Sequence, residues 1–270
     1  MTLLVFTFIF LLGTIIGSFL NVVIFRFNTG RKVSKGRSIC MNCNRNLRWY
    51  ELIPILSFLI QSGQCRRCAS KISHQYPIVE FITGIVFLLV SFKFLPILYV
   101  SYGAYLLLTS LFVFLFSLLI VISVYDLHHK IIPDKLVYLF IVVSFFSLFI
   151  NPSFGTRLFI LPNYSALIAG PLFAIPFVSL WFFSKGRLMG LGDGKLILGI
   201  GWMLGLLQGI FAIILSFWIG TAVSVFLMVL YKNKINMKTE IPFAPFLIIS
   251  TLVTFIFNLN IFSLIKLFSM

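Results

Sequence analysis

Asp126 and Asp193 are the residues of this chain best placed for chemistry, because each stands at the edge of a long apolar run. Asp126 closes the run Leu106 to Tyr125, and Asp193 sits in Gly190-Leu191-Gly192-Asp193-Gly194-Lys195 between two more. The 270 residues contain six acidic ones: Glu51, Glu80, Asp126, Asp134, Asp193 and Glu240. An ionisable group held near a bilayer is costly and by default marks function. Taken singly, either aspartate also fits a juxtamembrane cap or a solvated loop charge. As a pair they suggest more, since two carboxylates held close in a poorly solvated site share one proton. The ionised member can then take a proton from water while the protonated one polarises a peptide carbonyl. Such a dyad hydrolyses amides with no metal and no covalent intermediate.

The glycines around Asp193 suit that use. Gly190, Gly192 and Gly194 alternate, which removes side chains and opens backbone conformations closed to other residues. Asp134 follows Pro133 and precedes the run Leu136 to Phe149, so it is expected to cap a helix.

Four cysteines form a second constellation. Cys40-Met41-Asn42-Cys43 and Cys65-Arg66-Arg67-Cys68 are two CxxC pairs at the spacing of a four-thiolate zinc site. Two disulfides are the competing reading, and a cytoplasmic loop disfavours them. A closed Cys₄ site leaves no position for water, so the expected zinc is structural. Between the pairs, Leu52 to Ile60 is apolar but too short to span. It is expected to lie on the membrane surface or re-enter it, with Trp49 and Tyr50 as interfacial anchors. His128 and His129 are adjacent, which suits a solvated face better than a metal site. No internal repeat is visible.

The elements that must carry these residues are membrane helices. Hydrophobic residues make up 60% and charged ones 10%, which excludes an ordinary soluble domain. Hydropathy gives an all-α polytopic membrane protein of about eight spans, at 3–25, 77–95, 99–125, 136–150, 164–183, 195–207, 209–231 and 243–265. Gln208-Gly209 is a weak divider, so seven spans fit as well. The expected organisation is a first transmembrane helix at 1–25, a cysteine loop at 26–76 and a transmembrane core at 77–270. Of the 21 basic residues, all but Lys93, Arg157 and Lys266 fall on one side of this topology. The positive-inside rule makes that side cytoplasmic, with the N-terminus outside and both aspartates at the cytoplasmic face. The net charge of +15 points to anionic membrane lipids and away from nucleic acid, for which there is no soluble surface.

Nearly the whole chain then resembles the type IV prepilin peptidases. Gly17-Ser18-Phe19-Leu20-Asn21-Val22-Val23-Ile24 is similar to their opening motif. Their zinc loop is matched by Cys40 through Trp49-Tyr50-Glu51, Ile53-Pro54, the second CxxC and Tyr76-Pro77-Ile78-Val79-Glu80. Asp126 through Ile132-Pro133-Asp134 and Gly190 through Lys195-Leu196 resemble their two aspartate motifs. Glu240-Ile241-Pro242-Phe243-Ala244-Pro245-Phe246 resembles their closing motif. Met41 stands where a proline is common, and His74 near a position that is usually basic.

The resemblance implies an enzyme of the bacterial inner membrane that removes the basic leader from prepilins or pseudopilins, whose apolar helix follows the cut. It implies further that the new N-terminus is methylated from S-adenosylmethionine. By carry-over Asp126 and Asp193 are catalytic, while Gly190, Gly192, Gly194, Lys195 and Asp134 support them. Cys40, Cys43, Cys65 and Cys68 hold zinc, and Gly63 and Glu80 serve methyl transfer. Two other readings remain open: a presenilin-like aspartyl protease, although a Pro-Ala-Leu motif is absent, and a zinc-stapled transporter or assembly scaffold.

Overall fold

The structure is a computed structural model. It describes residues 2–27, 29, 36–150, 159–230 and 241–262. Glu240, Arg157, Lys232, Lys234, Lys238, Lys266, the basic stretch 30–35 and the far end of the span expected at 243–265 lie outside the described residues. Secondary structure among the described residues is helical: α1 (Thr2–Arg26), a 3₁₀ turn (Trp49–Leu52), α2 (Leu56–Ile60), α3 (Gln75–Leu98), α4 (Tyr102–His129), α5 (Asp134–Ser147), α6 (Tyr164–Ser184), α7 (Leu191–Leu230) and α8 (Ala244–Phe257). Five of these, α1, α3, α4, α6 and α7, are long and apolar enough to cross a membrane. The chain is therefore an all-helical, multi-pass membrane protein. It divides into two compact units, Met1–Pro96 and Ile97–Met270, so α3 groups with the cysteine loop.

In the first unit α1 and α3 run antiparallel, and small residues let them meet. A Cβ on Gly13 would lie 2.8 Å from the Gly84 Cα, and one on Gly17 would lie 2.7 Å from the Glu80 Cα. Helices in lipid gain little from hydrophobicity alone and pack through such close approaches. Asn21, fully buried, completes the seam by donating from Nδ2 to the Tyr76 carbonyl at 3.2 Å. The Gly17–Ile24 and Tyr76–Glu80 motifs thus lie against each other.

In the second unit α7 packs along α5, α6 and α8, and α4 packs on α5 and α8. Leu115, Leu119, Ile122, Phe140, Leu196, Ile197 and Leu247 form its dry centre. Pro171 in α6 has no N–H to offer the Leu167 carbonyl one turn back. The Trp202 indole N–H of α7 donates to that carbonyl at 2.9 Å, and Gly170 leaves the room for it, since a Cβ there would sit 2.7 Å from Nε1. A backbone acceptor that lipid cannot satisfy is met by the neighbouring helix.

The divider expected at Gln208-Gly209 lies instead at Gly205. There φ is +75° and ψ is −176°, a conformation open in practice only to glycine, inside the 40-residue run Leu191–Leu230. Hydropathy could not find it, because Gly205 interrupts the dihedrals and not the apolar run. A straight 40-residue helix would measure about 60 Å, twice the hydrocarbon thickness, so the break separates two rods.

Candidate active site and metal centre

Asp126 lies in the last turn of α4, and Asp193 in the first turn of α7. Both are buried, at 5% and 9% exposure. Their carboxylates are near enough for the charge of one to act on the other. Each also meets backbone donors. The Ala244 N–H at the start of α8 points to Asp126, and the Gly190 N–H points to Asp193, as does the N–H of Asp193 itself. Three helix ends therefore converge on the pair: the C-terminus of α4 and the N-termini of α7 and α8. The free N–H groups and positive dipole ends of the latter two favour negative charge there.

Two contacts fix the α4–α5 loop to the start of α7. A Cβ on Gly192 would sit 2.7 Å from the Ile132 Cβ, so only glycine lets this turn pass Ile132. Lys195 Nζ reaches Asp134 Oδ1 at 2.7 Å, and the same ammonium lies 4.9 Å from the centre of the Tyr138 ring. Gly194 is tight against Val178, where a Cβ would come to 3.1 Å, whereas Gly190 has room for one. None of the three glycines has positive φ. They serve space at Gly192 and Gly194, and unusual dihedrals are not used.

Asp134 begins α5 as expected but does not cap it. Pro133 occupies the cap position with no side-chain bond, and the Asp134 carboxylate turns to Lys195. Its charge at the first helical position still complements the helix dipole. His128 and His129 are exposed, with His129 against the Tyr125 ring at 4.4 Å. Sequence reasoning missed Ile132, Tyr138 and the Ala244 N–H, because an apolar neighbour and a main-chain donor leave no signal in residue type.

In the first unit the four cysteine sulfurs lie within 4.8 Å of one another, with Cys40 and Cys68 3.8 Å apart. Tetrahedral zinc with Zn–S near 2.3 Å requires sulfurs about 3.8 Å apart, so the donor set fits. Two matching turns build it. Cys40 N donates to the Arg45 carbonyl and Cys65 N to the Ser70 carbonyl, both at 2.9 Å. Asn44 N returns to the Cys40 carbonyl and Ala69 N to the Cys65 carbonyl, again at 2.9 Å. Asn44 and Ala69 both adopt φ of +54°, and bridges Ile39–Asn46 and Gln64–Lys71 close the two turns. The loop is thus an internal repeat in backbone, although only the cysteines repeat in sequence.

The thiols differ. The Ser70 hydroxyl, 3.1 Å away, and the Ser70 N–H bring Cys68 down to about 6. The Cys43 and Asn42 N–H groups lower Cys40. At Cys43 the Arg45 N–H favours the thiolate, yet burial and the three neighbouring thiols push it up to about 11. Four thiols so close cannot all ionise without a counter-charge, which a divalent cation supplies. Among the described residues this is the one cluster of metal-ligating side chains.

Glu51 supports the loop from within. Burial would raise its carboxyl, but the Arg48 N–H at 2.8 Å and the Arg45 guanidinium at 2.5 Å outweigh this and hold it below the usual carboxylate range. Glu80 is buried and accepts from the Ile55 N–H at 2.7 Å. Gly63 ends α2 with φ of +67° and donates its N–H to the Phe58 carbonyl at 3.0 Å. Together with the Ser62 N–H on the Leu59 carbonyl at 3.0 Å, that 6→1 bond closes the helix end, with Ser62 at φ of +49° in the left-handed position that glycine usually takes.

Residues 11–94 match the family model for the bacterial peptidase A24 N-terminal domain, and residues 113–225 match that for the type IV leader peptidase family. The chain is similar to a prepilin leader peptidase/N-methyltransferase of Vibrio cholerae, 31% identical over 72% of this chain and 76% of the relative. One from Klebsiella pneumoniae is 30% identical over 74% and 85% respectively. One from Bacillus subtilis is 29% identical and covers 94% of this chain and 95% of its own length. No solved structure matches the chain. With matches this extensive on both units, the chain belongs to the type IV prepilin leader peptidase family.

Proposed function

We propose that this chain is a membrane-embedded aspartyl endopeptidase that removes the leader from prepilins or pseudopilins. The observation that carries the reading is the burial of Asp126 and Asp193 together where three helix ends meet. One carboxylate, ionised, takes a proton from a water molecule as that water attacks the scissile carbonyl. The other, protonated, donates to the carbonyl oxygen. As the C–N bond breaks, the first carboxyl passes the proton it took from water to the departing amine, and the second takes its proton back from the gem-diol hydroxyl, which restores the dyad. The Gly190 and Ala244 N–H groups orient the carboxylates, and Lys195 with Asp134 holds the flanking loop in place. The peptidase core is assigned to the helices that carry the dyad, within 77–270.

The excess of Lys and Arg in alternate loops supports a site at the cytoplasmic face of the inner membrane, with the N-terminus outside and anionic lipids around the loops. The substrate's basic leader would approach from the cytoplasm while its apolar segment stays in the bilayer. Cys40, Cys43, Cys65 and Cys68 would hold a structural zinc.

The relatives' name adds N-methyltransferase activity, for which S-adenosylmethionine would supply the methyl group. Gly63 and Glu80 are assigned to that activity by resemblance. Each also has a structural task, closing α2 and holding Ile55, and no Gly-rich nucleotide cradle surrounds them among the described residues.

The test is purified protein in liposomes with a prepilin-type substrate, read by mass spectrometry. Release of the leader supports the reading, and a gain of 14 Da on the new N-terminus, the mass of one methylene, supports the second activity (a mass fixed by the reaction's chemistry, about one CH₂). Absence of cleavage contradicts the peptidase reading.

A further inference from the structure

The cysteine loop carries an apolar stripe that its own interior does not use. Trp49, Leu52, Ile53, Leu56, Leu59 and Ile60 are all exposed, Trp49 by 79% and Ile60 by 71%. They recur at the 3–4 residue spacing of one helix face, although the helix is broken between them. The opposite side of the same segment faces inward. Glu51 is buried on Arg45 and Arg48, and Phe58 packs edge-to-face on His74 at 5.4 Å and covers Gly63. A contiguous exposed apolar stripe rimmed by charge marks an interaction surface.

Two further observations say what covers it. The first is its rim. Tyr50 packs on Trp49 at 5.8 Å, and the exposed Arg48 and Arg66 guanidiniums lie 6.0 and 5.1 Å from the Tyr50 ring. Arg67 and Lys71 are exposed nearby in sequence, and the one acid of the segment, Glu51, is already paired. The second is its tether. Ile55, in the middle of the stripe, adopts φ of +60° and ψ of −54°, a costly conformation for a β-branched residue. Its N–H is held at 2.7 Å by the buried carboxylate of Glu80. Glu80 lies five residues into α3, about 8 Å from the start of a helix about 36 Å long, against a hydrocarbon core of about 30 Å. The tether therefore holds the stripe at the edge of the bilayer.

We propose that residues 49–60 are an interfacial foot that seats the metal-binding loop on an anionic membrane surface. The apolar stripe enters the headgroup–acyl boundary, Arg48 and Arg66 meet lipid phosphates, and Glu80 is the positioning residue that sets the foot's shape. The segment lies flat and does not re-enter, because the Pro54–Ile55 break leaves α2 only five residues long. This deepens the membrane reading above and does not depend on the peptidase reading.

The experiment uses the full chain in vesicles containing phosphatidylglycerol and brominated lipids, and reads the fluorescence difference between wild type and Trp49→Phe. Quenching of the Trp49 signal is expected to be strongest with bromines near the headgroup and to weaken in neutral vesicles. Glu80→Ala is expected to reduce it, and Glu80→Gln, which still accepts from Ile55, to retain it. Leu56→Ser with Leu59→Ser, both on exposed positions, is expected to remove most of it while metal content is unchanged. Strongest quenching at the bilayer centre, quenching only by aqueous acrylamide, or equal quenching in neutral and anionic vesicles would each overturn the proposal. Leader cleavage measured on the same vesicles reports separately on the peptidase reading.

Discussion

Lys195 and Asp134, 61 residues apart in sequence, form an ion pair of 2.7 Å that ties the start of α7 to the start of α5. Both sequence motifs that carry the aspartates are thereby joined. The pair is unequal in exposure, 21% for the lysine side chain and 59% for the aspartate.

An ion pair this exposed is worth at most about 1 kcal/mol. Asp134→Asn is therefore expected to keep cleavage within roughly fivefold of wild type. Lys195→Met, which also gives up the contact with Tyr138, should cost more. Steady-state cleavage with both variants checks this order. An Asp134→Asn protein with no activity would move Asp134 into the catalytic machinery.

Gly192 meets Ile132 so closely that a methyl group must displace one of them. Overpacking of this kind costs about 1–3 kcal/mol. Gly192→Ala should lower cleavage by tenfold or more on that basis (about 1.4 kcal/mol per decade), while Gly190→Ala, where a Cβ is accommodated, should be milder. Ile132→Gly combined with Gly192→Ala should recover part of the loss, and a thermal unfolding series on the four proteins measures the coupling.

The four-thiolate site predicts one zinc per chain, removed by a strong chelator or by Cys65→Ser. Cys65 is the buried member of the set, so its replacement should lose the metal most completely. Because metal binding and loop folding are linked, hydrogen exchange across 38–72 should rise in the metal-free protein. Full protection of the loop without metal would contradict the assignment.

Glu51 gives the loop a pH dependence whose sign follows from its environment. Its carboxyl sits below the usual range in the fold. Its contribution is therefore fully present above the unfolded-state value of about 4.3, and is lost as pH falls through the lower folded value. Glu51→Gln should destabilise the loop at neutral pH and flatten this acid transition. Hydrogen exchange at matched pH, wild type against variant, isolates the effect from protonation of the cysteines. An unchanged transition in the variant would place its origin elsewhere.

Much of this was legible in residue type and spacing. Long apolar runs located most helices to within a few residues, although α8 ends at Phe257 where the expected span ran on to 265. Two CxxC pairs located the cysteine cluster that could hold a metal. What stayed hidden was geometric. Gly205 breaks α7 through its dihedrals without altering hydropathy. The two cysteine turns share backbone bonds while their other residues differ, so no repeat could be read. Asp134 looked like a cap because its type and position suit one, and only the three-dimensional approach of Lys195 redirects it. Ile55 gives no hint of its positive-φ turn, since β-branched residues avoid positive φ and a remote glutamate holds it there.

The central claim is that Asp126 and Asp193 act as one catalytic pair, and the most direct measurement is cleavage by Asp126→Asn and Asp193→Asn. Each protein would be assayed against a prepilin-type substrate in membranes at matched, verified expression. The account predicts that each single variant loses cleavage, and that the double variant loses no more than either alone. Wild-type cleavage by either single variant would contradict it.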